Sequence, residues 1–302
     1  MSEPHSAEFF GEQRDFWWNR DFLDLMAARW RLNEASSLAD IGCGRCHWSR
    51  LWYPYLRKPA RLTGVDREPK WVEEAGPTLR RAFPEAAPDS FAVLQGEATK
   101  IPLPDNAFDV VTCQTVLMHL DQPLAALREM LRILRTGGLL VCAEPNNFWN
   151  YLPTTSLTAD EPTEDVVRRF EFWLRHHRGR KAAGLGEHGI GDLLPGYFVQ
   201  LGVREVQVHL NDRVSPLYPP YHRPEQQASI RQEQEWLKSG SGPWDRAELR
   251  RLFLLGGGTE AEFERGFKAI HTQHVQEQSA IAGKTFHAAY GALHYLVSGR
   301  KC

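Results

Sequence analysis

The fold is decided by residues 38–46, Leu38-Ala-Asp-Ile-Gly-Cys-Gly-Arg-Cys46, which lie in the first sixth of a chain of 302 residues. The apolar residues that open this stretch predict a buried strand, and the glycines at positions 42 and 44 predict a tight turn. Glycine at such a turn can adopt positive φ and lets the backbone approach a ligand closely. A helix that begins directly after the turn would present free N–H groups to that ligand. The stretch therefore predicts a ligand-binding loop between a strand and a helix.

Short apolar segments follow this loop and alternate with helical patterns. Strands are predicted at Ser37–Ile41, Arg61–Asp66, Phe91–Gln95, Phe108–Cys113, Leu139–Glu144, Glu205–Leu210 and roughly Ala288–Ser298. Between the fourth and fifth strands, residues 124–134 place leucines on one helical face, with Pro123 suited to the start and Gly137-Gly138 to the stop. Strands separated by helices are typical of βαβ units, so the sequence predicts an α/β fold with a mostly parallel sheet.

Helical patterns also flank this alternating region. Apolar residues recur at helical spacing over residues 8–32, which predicts one helix there. Within residues 212–284, Thr259-Glu-Ala-Glu262 is a capping-box pattern, and breaks between helices are expected at Ser239–Pro243 and Gly256–Gly258. We expect three parts: an N-terminal helical cap segment at 1–35, an α/β core at 36–211 plus 285–302, and a helical insertion at 212–284 that covers the substrate site.

Charge, length of apolar runs and cysteine usage exclude several classes of protein. The 36 basic and 38 acidic residues nearly cancel, which argues against a dedicated nucleic-acid binder. Residues 1–10 have no basic start and no apolar stretch, so no signal peptide is expected, and no run approaches the roughly 20 apolar residues of a membrane span. The five scattered cysteines fit a reducing compartment, and we expect a cytoplasmic protein.

Several short motifs follow the glycine loop in a fixed order. They are Gly64-Val-Asp66, Gly96-Glu-Ala98, Phe108-Asp-Val-Val111 and Leu134-Arg-Thr-Gly-Gly138. The ordered series resembles the class I S-adenosylmethionine-dependent methyltransferase family, of the small-molecule type with a methyltransferase-11-like core. The resemblance covers residues 36–210 and 285–300. It implies a doubly wound, seven-stranded, mostly parallel sheet of Rossmann-like type, to which the chain adds a helical cap.

The resemblance also implies S-adenosylmethionine as the cofactor. The residues of the glycine loop would hold its methionine part, and Asp66 would hold the ribose, as an acidic residue at the end of a second strand commonly does. Glu97 and Ala98 would flank the adenine, and Gln114 would lie under the sulfonium end. The predicted cofactor-binding residues are Asp40, Gly42, Cys43, Gly44, Asp66, Arg67, Glu97, Ala98 and Gln114.

Two positions depart from the family pattern. Cys46 stands where the family usually has a third glycine, and Glu97 stands where it usually has Asp. Cys46 also completes a Cys-x-x-Cys pair with Cys43, which alone would suggest a redox dithiol or half of a zinc site. No second ligand pair follows, so no metal is expected. His47 occupies the third-glycine position of a dinucleotide-binding fingerprint, and a dehydrogenase is therefore disfavoured.

Candidate catalytic residues are chosen by their place at the carboxyl edge of the sheet, where ligands bind in open α/β folds. The candidate bases are His119, Glu144, His188, Tyr221 and His222. For His119 the alternative is a structural role at the start of the next helix. Tyr221 and His222 belong with Tyr218 to Leu217-Tyr-Pro-Pro-Tyr-His222, for which a rigid lid turn and an aromatic pocket wall are the alternatives.

Three functions remain open at this stage. The leading hypothesis is methyl transfer from S-adenosylmethionine to an O, N or S atom of a small molecule. The second is methylation of RNA or protein, with the basic residues of 168–181 as a docking surface, although these residues also fit the solvated face of a helix. The third is a non-catalytic nucleoside-binding module. We expect a small-molecule partner and no membrane contact, and none of these patterns indicates an oligomeric state.

Overall fold

The computed structural model of the chain describes residues 12–152, 154–238, 245–291 and 293–302. Its strands are β1 (Ser37–Ile41), β2 (Arg61–Asp66), β3 (Phe91–Gln95), β4 (Phe108–Gln114), β5 (Leu134–Asn146), β6 (Arg204–Leu210), β7 (Ser215–Leu217), β8 (Ala288–Tyr290) and β9 (Leu293–Arg300). Seven of them form one sheet in the order β3-β2-β1-β4-β5-β9-β6, in which β9 runs antiparallel to both of its neighbours. The predicted seven-stranded, mostly parallel, doubly wound sheet is confirmed.

The helices of the described residues are α1 (Arg20–Trp30), α2 (His47–Trp52), α3 (Pro69–Ala82), α4 (Pro123–Ile133), α5 (Thr163–Ala182), α6 (Leu194–Gln200), α7 (Pro224–Lys238), α8 (Arg246–Leu255) and α9 (Glu260–Ala282). Five of them, α1, α2, α3, α4 and α6, cover the two faces of the sheet. Successive strand residues point to opposite faces, so Leu38 packs in the cluster with α1, α2 and α3, while Ala39 packs in the cluster with α4 and α6. The sheet is therefore buried on both sides.

Helices α5, α8 and α9 share a hydrophobic core of their own, whereas Ile230 of α7 packs in a separate cluster with Ile281 and Phe286. Phe172 and Trp173 of α5 pack with Phe253 of α8 and Phe263 of α9. The α5–α8 crossing is close because Gly179 has no side chain: a Cβ there would lie 1.7 Å from the Leu252 carbonyl oxygen. The capping box at the start of α9 and the break at Gly256–Gly258 are as predicted. The predicted break at Ser239–Pro243 lies outside the described residues.

The segment between β6 and β9 begins and ends at one edge of the sheet. Leu210, at the end of β6, and Glu144, near the end of β5, both pair with Tyr295 of β9. This is the carboxyl edge of β5. The insertion therefore departs from and returns to the edge at which ligands bind in open α/β sheets.

Three predicted elements differ from the structure. The helix predicted at 8–32 is broken: Glu12–Phe16 is a 3₁₀ turn and α1 begins at Arg20, because Asn19 is extended and the Trp17 carbonyl accepts a bond from Asn211 Nδ2 at 2.8 Å. The part before residue 12 lies outside the described residues. The predicted last strand is divided, because β8 pairs with β7 in a separate ribbon. Gly137 and Gly138 do not end α4, which stops at Ile133; they belong to β5, which begins early and extends to Asn146.

Replacing Gly179 by alanine tests the close helix crossing. We expect Gly179→Ala to lower the free energy of unfolding by about 1–3 kcal/mol, because the new methyl group would force two backbones apart. Gly196→Ala in α6 is the matched control, since a Cβ there meets nothing within 4 Å. Denaturant unfolding measures both variants. Equal stabilities of the two would show that α5 and α8 are not in the contact described.

Candidate active site

A cavity lies where the carboxyl ends of β1, β2, β3 and β4 meet. Together with the solvent at its mouth it comprises about 880 Å³ of empty space. All nine residues predicted to bind the cofactor line it. The lining residues are Arg14, Asp40, Gly42, Cys43, Gly44, His47, Trp48, Asp66, Arg67, Glu68, Trp71, Gly96, Glu97, Ala98, Gln114, Thr115, Val116, His119 and Leu120.

The loop after β1 is held in a left-handed turn at the floor of the cavity. Gly42 and Gly44 have φ of 66° and 51°, and Cys46 also adopts positive φ, at 57°. The Gly42 N–H donates to the Val65 carbonyl at 2.7 Å. A Cβ on Gly42 would lie 2.5 Å from Val116 Cγ2, so a side chain would close the gap between this loop and the loop after β4. Cys46 thus takes the conformation that glycine usually supplies.

Asp40 is a buried carboxylate, 1% exposed, on the cavity wall. Burial raises its pKa to about 7. Ser49 and the charge of Arg14 lower this pKa, and the charge of Asp66 raises it, all to smaller extents. Neither of its oxygens accepts a hydrogen bond of good geometry from the described residues. Since unpaired buried carboxylates are costly, the wall at Asp40 is suited to a cationic hydrogen-bond donor.

Arg14 brings a buried guanidinium to the same wall. Burial lowers its pKa to about 10, and Asp40 opposes this change. Its Nη2 atom lies 3.5 Å from the Thr115 hydroxyl. Arg14 comes from the 3₁₀ turn at Glu12–Phe16, outside the sheet, so no strand motif in the sequence indicates that it belongs to the cavity.

Asp66 ends β2 and fixes two loops. Its carboxylate accepts the Gly44 N–H at 2.8 Å and the Glu68 N–H at 2.9 Å, one on each oxygen. Burial raises its pKa, and these two backbone donors oppose the rise. Each carboxylate oxygen has a further lone pair, so Asp66 can still accept hydrogen bonds from two hydroxyls in the cavity.

The other predicted cofactor residues lie along the β3 and β4 side. Gln114 is buried at the end of β4, and its side-chain amide has no hydrogen-bond partner among the described residues. Glu97 is exposed at the rim and Ala98 is half-buried. Arg67 is also exposed and bonds to Glu68 at 3.2 Å.

Several cavity residues were not predicted from the sequence. His47 and Trp48 come from the start of α2, and burial, with smaller effects of Arg14 and Arg50, lowers the pKa of His47 to about 3. The nearness of Glu68 and Trp71 to Asp66 in the chain is a signal that could have identified them. The others are Arg14, Gly96, Thr115, Val116 and Leu120.

The predicted bases are not all brought together. His119 lines the cavity, and the His188 ring packs edge-on against it with ring centres 5.9 Å apart. Tyr221 and His222 do not line it: the Tyr221 hydroxyl donates to the Phe286 carbonyl at 2.9 Å in a cluster with α7 and α9, and His222 is exposed. Neither Tyr221 nor His222 therefore forms the predicted aromatic wall of this cavity.

Glu144 is directed at the backbone rather than into the cavity. Its oxygens accept the N–H groups of Val116, Leu117 and Met118 at 2.8, 2.9 and 3.2 Å. Burial raises its pKa to about 7, and these donors oppose the rise. Glu144 is not among the residues that line the cavity. Its carboxylate fixes the loop after β4 through these three hydrogen bonds.

Two other sequence hypotheses can be compared with the described residues. No group of three or more His, Cys, Asp or Glu side chains in them is arranged to hold a metal ion. The thiols of Cys43 and Cys46 instead pack against Gly64. Nor do these residues include a helix with the length and hydropathy needed to cross a membrane.

The basic face of α5 is largely neutralised. Three of its arginines pair with nearby acids: Arg168 with Asp165, Arg169 with Glu161 at 2.6 Å, and Arg175 with Glu171 at 2.6 Å. Lys181 pairs with Glu187 at 2.9 Å. These pairs favour a solvated helix face over a docking surface for a polyanion.

Comparisons with known proteins agree with this geometry. Residues 39–142 match the family model of a methyltransferase domain. A demethylmenaquinone methyltransferase of Listeria welshimeri is 29% identical over 132 residues, which cover 43% of this chain and 52% of that protein. An uncharacterized methyltransferase of Schizosaccharomyces pombe is 29% identical over 160 residues, 52% of this chain and 55% of that one. The chain thus spans about half the length of these curated relatives.

The fold is shared with solved structures at low sequence identity. The YcgJ protein of Bacillus subtilis superposes with a TM-score of 0.51 at 20% identity, covering 94% of this chain and 99% of that one. A Bacillus halodurans structure superposes with a TM-score of 0.50 at 15% identity, covering 94% and 98%. Residues 39–142, which include the glycine loop, Asp66 and Gln114, therefore resemble a methyltransferase domain, and the sheet around them has the fold of these two structures.

Proposed function

We propose that this protein is an enzyme that transfers the methyl group of S-adenosylmethionine to an O, N or S atom of a small molecule. The observation that carries the proposal is the single cavity wall formed by Asp40, the glycine loop, Asp66 and Gln114 at the carboxyl edge of the sheet. The demethylmenaquinone methyltransferases among the relatives are named for a small-molecule acceptor, which supports the same substrate class here.

The polar groups of the cavity fit the parts of this cofactor. Asp40 offers a buried carboxylate that accepts no hydrogen bond of good geometry from the described residues, and Arg14 offers a buried guanidinium. These two groups complement the ammonium and the carboxylate of an amino acid. Asp66 would accept hydrogen bonds from the two ribose hydroxyls. Glu97 and Ala98 would flank the adenine. The free amide of Gln114 would lie near the sulfonium end.

The chemistry asks little of the protein beyond alignment. When bound, S-adenosylmethionine supplies a methyl group on a positively charged sulfur, and transfer removes charge instead of creating it. Correct alignment of the acceptor can contribute several kcal/mol to lowering the barrier. The wall made by Thr115, Val116, His119 and Leu120 is where the acceptor would lie, with Glu144 holding that wall in place.

The N-terminal segment and the insertion would together cover the site. Helix α7 packs on the 3₁₀ turn that carries Arg14. Asn211 and Arg213, at the start of the insertion, bond to the Trp17 carbonyl and to the Asn19 side chain, each at 2.8 Å. A cover of this kind excludes water and restricts access, which suits a small acceptor better than a polymer. The division into cap segment, core and insertion forms part of this proposal.

The role of Asp66 provides a direct test of the function. Asp66→Ala should weaken S-adenosylmethionine binding by about 1–3 kcal/mol, the scale of hydrogen bonds to a charged group. Calorimetry measures this loss, and exposed Asp89→Ala is the control. If folded Asp66→Ala bound S-adenosylmethionine as tightly as the wild type does, Asp66 would not be a cofactor-binding residue.

Methyl transfer itself is followed with cofactor labelled in the methyl group and a cell extract as the source of acceptors. The proposal predicts a labelled small molecule in the dialysable fraction that chromatography separates from the cofactor. Label in RNA or protein would support the polymer alternative, and tight cofactor binding with no labelled product would support a binding module.

A side chain that fills the gap between the loop after β1 and the loop after β4 should abolish binding of S-adenosylmethionine. We expect Gly42→Val to lose measurable S-adenosylmethionine affinity while the domain stays folded, because its branched side chain would meet Val116 and resist positive φ. Gly76→Val is the matched control, since a Cβ there meets nothing within 4 Å. If Gly42→Val still bound S-adenosylmethionine, the cofactor could not lie between these two loops, and the proposed site would be wrong.

Asp40 should make stability and binding respond to pH in opposite directions. Its folded pKa of about 7 lies above its ordinary value of 3.8, so the folded protein holds the proton more tightly and loses stability as pH rises between these values. We expect Asp40→Asn to be more stable than wild type by about 1–3 kcal/mol at pH 8 but not at pH 4. Wild-type cofactor affinity should fall below pH 7, where Asp40 loses its charge.

The control for this pair of effects is Asp109→Asn. Asp109 accepts bonds from Ser36, Ser37 and Arg135, and its pKa is lowered to about 2; burial raises it, but these hydrogen bonds outweigh burial. Its loss should destabilise the protein at neutral pH. If Asp40→Asn were destabilising at pH 8, or bound S-adenosylmethionine as the wild type does, the assignment of Asp40 would be wrong.

A further inference from the structure

Strand β6 forms one edge of the seven-stranded sheet. Among the described residues it pairs with β9 only, so the backbone on its other side is free to pair. Five of its seven residues are exposed, among them Val208 at 43% and Leu210 at 46%. The cavity lies at the ends of β1 to β4, which β5 and β9 separate from β6. The proposed function therefore leaves this apolar edge unexplained.

The backbone of β6 directs hydrogen-bonding groups outward at defined positions. The Asn211 N–H donates to the His294 carbonyl at 2.9 Å, in the same register that pairs Leu210 with Tyr295. In an antiparallel ladder, every second residue of a strand bonds to the neighbouring strand. Val208 and Leu210 therefore point their N–H and C=O groups away from β9 and toward the free side.

The side chains of β6 divide into an apolar row and a polar row. Val206 packs in the cluster with α6, so Val208 and Leu210, which follow it at every second position, lie on the same side of the sheet. Gln207 and His209 lie on the other side, where α1 contacts His209. Each row thus has a single chemical character from residue 206 to residue 210.

Residues 206–210 are not protected against pairing with another strand. Edge strands that stay unpaired commonly carry Lys, Pro, charge or a bulge that twists the edge away. The bulge of β6 lies at its beginning, where Glu205 has a φ of 53°, and Val206-Gln-Val-His-Leu210 contains no Lys, Pro or carboxylate. Burial and, to a smaller extent, the charge of Arg29 lower the pKa of His209, so this run is uncharged at neutral pH.

We propose that β6 is an interface between two copies of this chain, in which the two β6 strands pair antiparallel about Val208. The run 206–210 is complementary to itself in this register. Val208 lies opposite Val208 of the second copy, Val206 lies opposite Leu210, and Gln207 lies opposite His209. Apolar side chains thus meet apolar ones on one side of the sheet, and an amide meets an imidazole on the other. The two seven-stranded sheets form one continuous sheet.

The neighbouring registers fit less well. Pairing about Gln207 would bring the bulge at Glu205 into the paired run, and pairing about His209 would place Val206 opposite the carboxylate of Asp212. Pairing about Val208 avoids both, and it lets the two Val208 residues exchange their outward N–H···O bonds. A partner of another sequence would not require β6 to be symmetric about Val208, so the pattern favours a second copy as the occupant.

Sedimentation equilibrium of the whole protein tests the interface. We expect a reversible wild-type dimer, and Val208→Lys should weaken it by about tenfold or more, because two ammonium groups would face each other at the two-fold axis. Val208→Pro should also weaken it while the chain stays folded, since the N–H that it removes is not bonded to β9. Leu94→Lys in β3, the other edge strand, is the matched control and should leave the dimer unchanged.

Engineered cysteines test the register, in protein whose exposed Cys302 is replaced by Ser. A mixture of Gln207→Cys and His209→Cys chains should form an intermolecular disulfide on mild oxidation. These two positions are directly opposite in a pair that is not hydrogen-bonded, where side chains lie closest. Either variant alone should cross-link far less, because its cysteines would lie two residues apart across the interface.

The contrary results are equally distinct. A wild type that is monomeric at every concentration would overturn the proposal, as would a dimer that Val208→Lys leaves intact or that Leu94→Lys disrupts. Val208→Lys carries this test alone if denaturant unfolding shows that Val208→Pro is not folded. Cross-linking of either cysteine variant alone as readily as the mixture would contradict pairing about Val208. None of these results depends on the proposed function.

Discussion

The hydrogen bond from the Gly44 N–H to the Asp66 carboxylate, 2.8 Å long, is the constraint on which the site depends. It joins the turn after β1 to the end of β2, so the left-handed backbone of the turn is fixed relative to the sheet. The second Asp66 oxygen holds the start of the next loop through Glu68. One carboxylate therefore positions two of the four loops that wall the cavity, and it keeps lone pairs for a ligand.

Glu144 plays the corresponding part on the other side of the cavity. It is fully buried and takes three consecutive backbone N–H groups of the loop after β4, the loop that also supplies His119. Asp40, between these two carboxylates, accepts no hydrogen bond of good geometry from the residues that the structure describes. Two strand-end carboxylates thus stabilise the structure, whereas in the proposed function the third binds the cofactor, at a cost to stability that ligand binding would offset.

The sequence predicts the site where its signals are local. The bounds of β1, β2 and β3 agree with the structure because short apolar runs end at glycine or polar turns, and all nine predicted cofactor residues lie at strand ends or directly after them. Arg14 could not be predicted because its place depends on the packing of α7 and on Asn211, far away in the chain.

The substrate side was harder to predict for the same reason. Tyr221 carries the right chemical group, but it is used inside a cluster with Phe286, and only the tertiary structure shows this. His188 and Glu144 are both predicted to lie at the carboxyl edge of the sheet, yet one packs on the cavity wall and the other fixes a loop. Local pattern gives the position of such residues at the sheet edge, whereas the direction of the side chain depends on contacts between distant segments.

The most direct measurement of the central claim is a crystal structure of the protein with S-adenosylhomocysteine. The account predicts that the ribose hydroxyls bond to Asp66, that the amino-acid part lies between Asp40 and Arg14, and that the sulfur faces the end of β4. It also predicts α7 within about 20 Å of that sulfur, which is two helix diameters. A nucleoside bound elsewhere, or bound here with the amino-acid part away from Asp40, would contradict the account, and a more distant α7 would contradict the proposed cover.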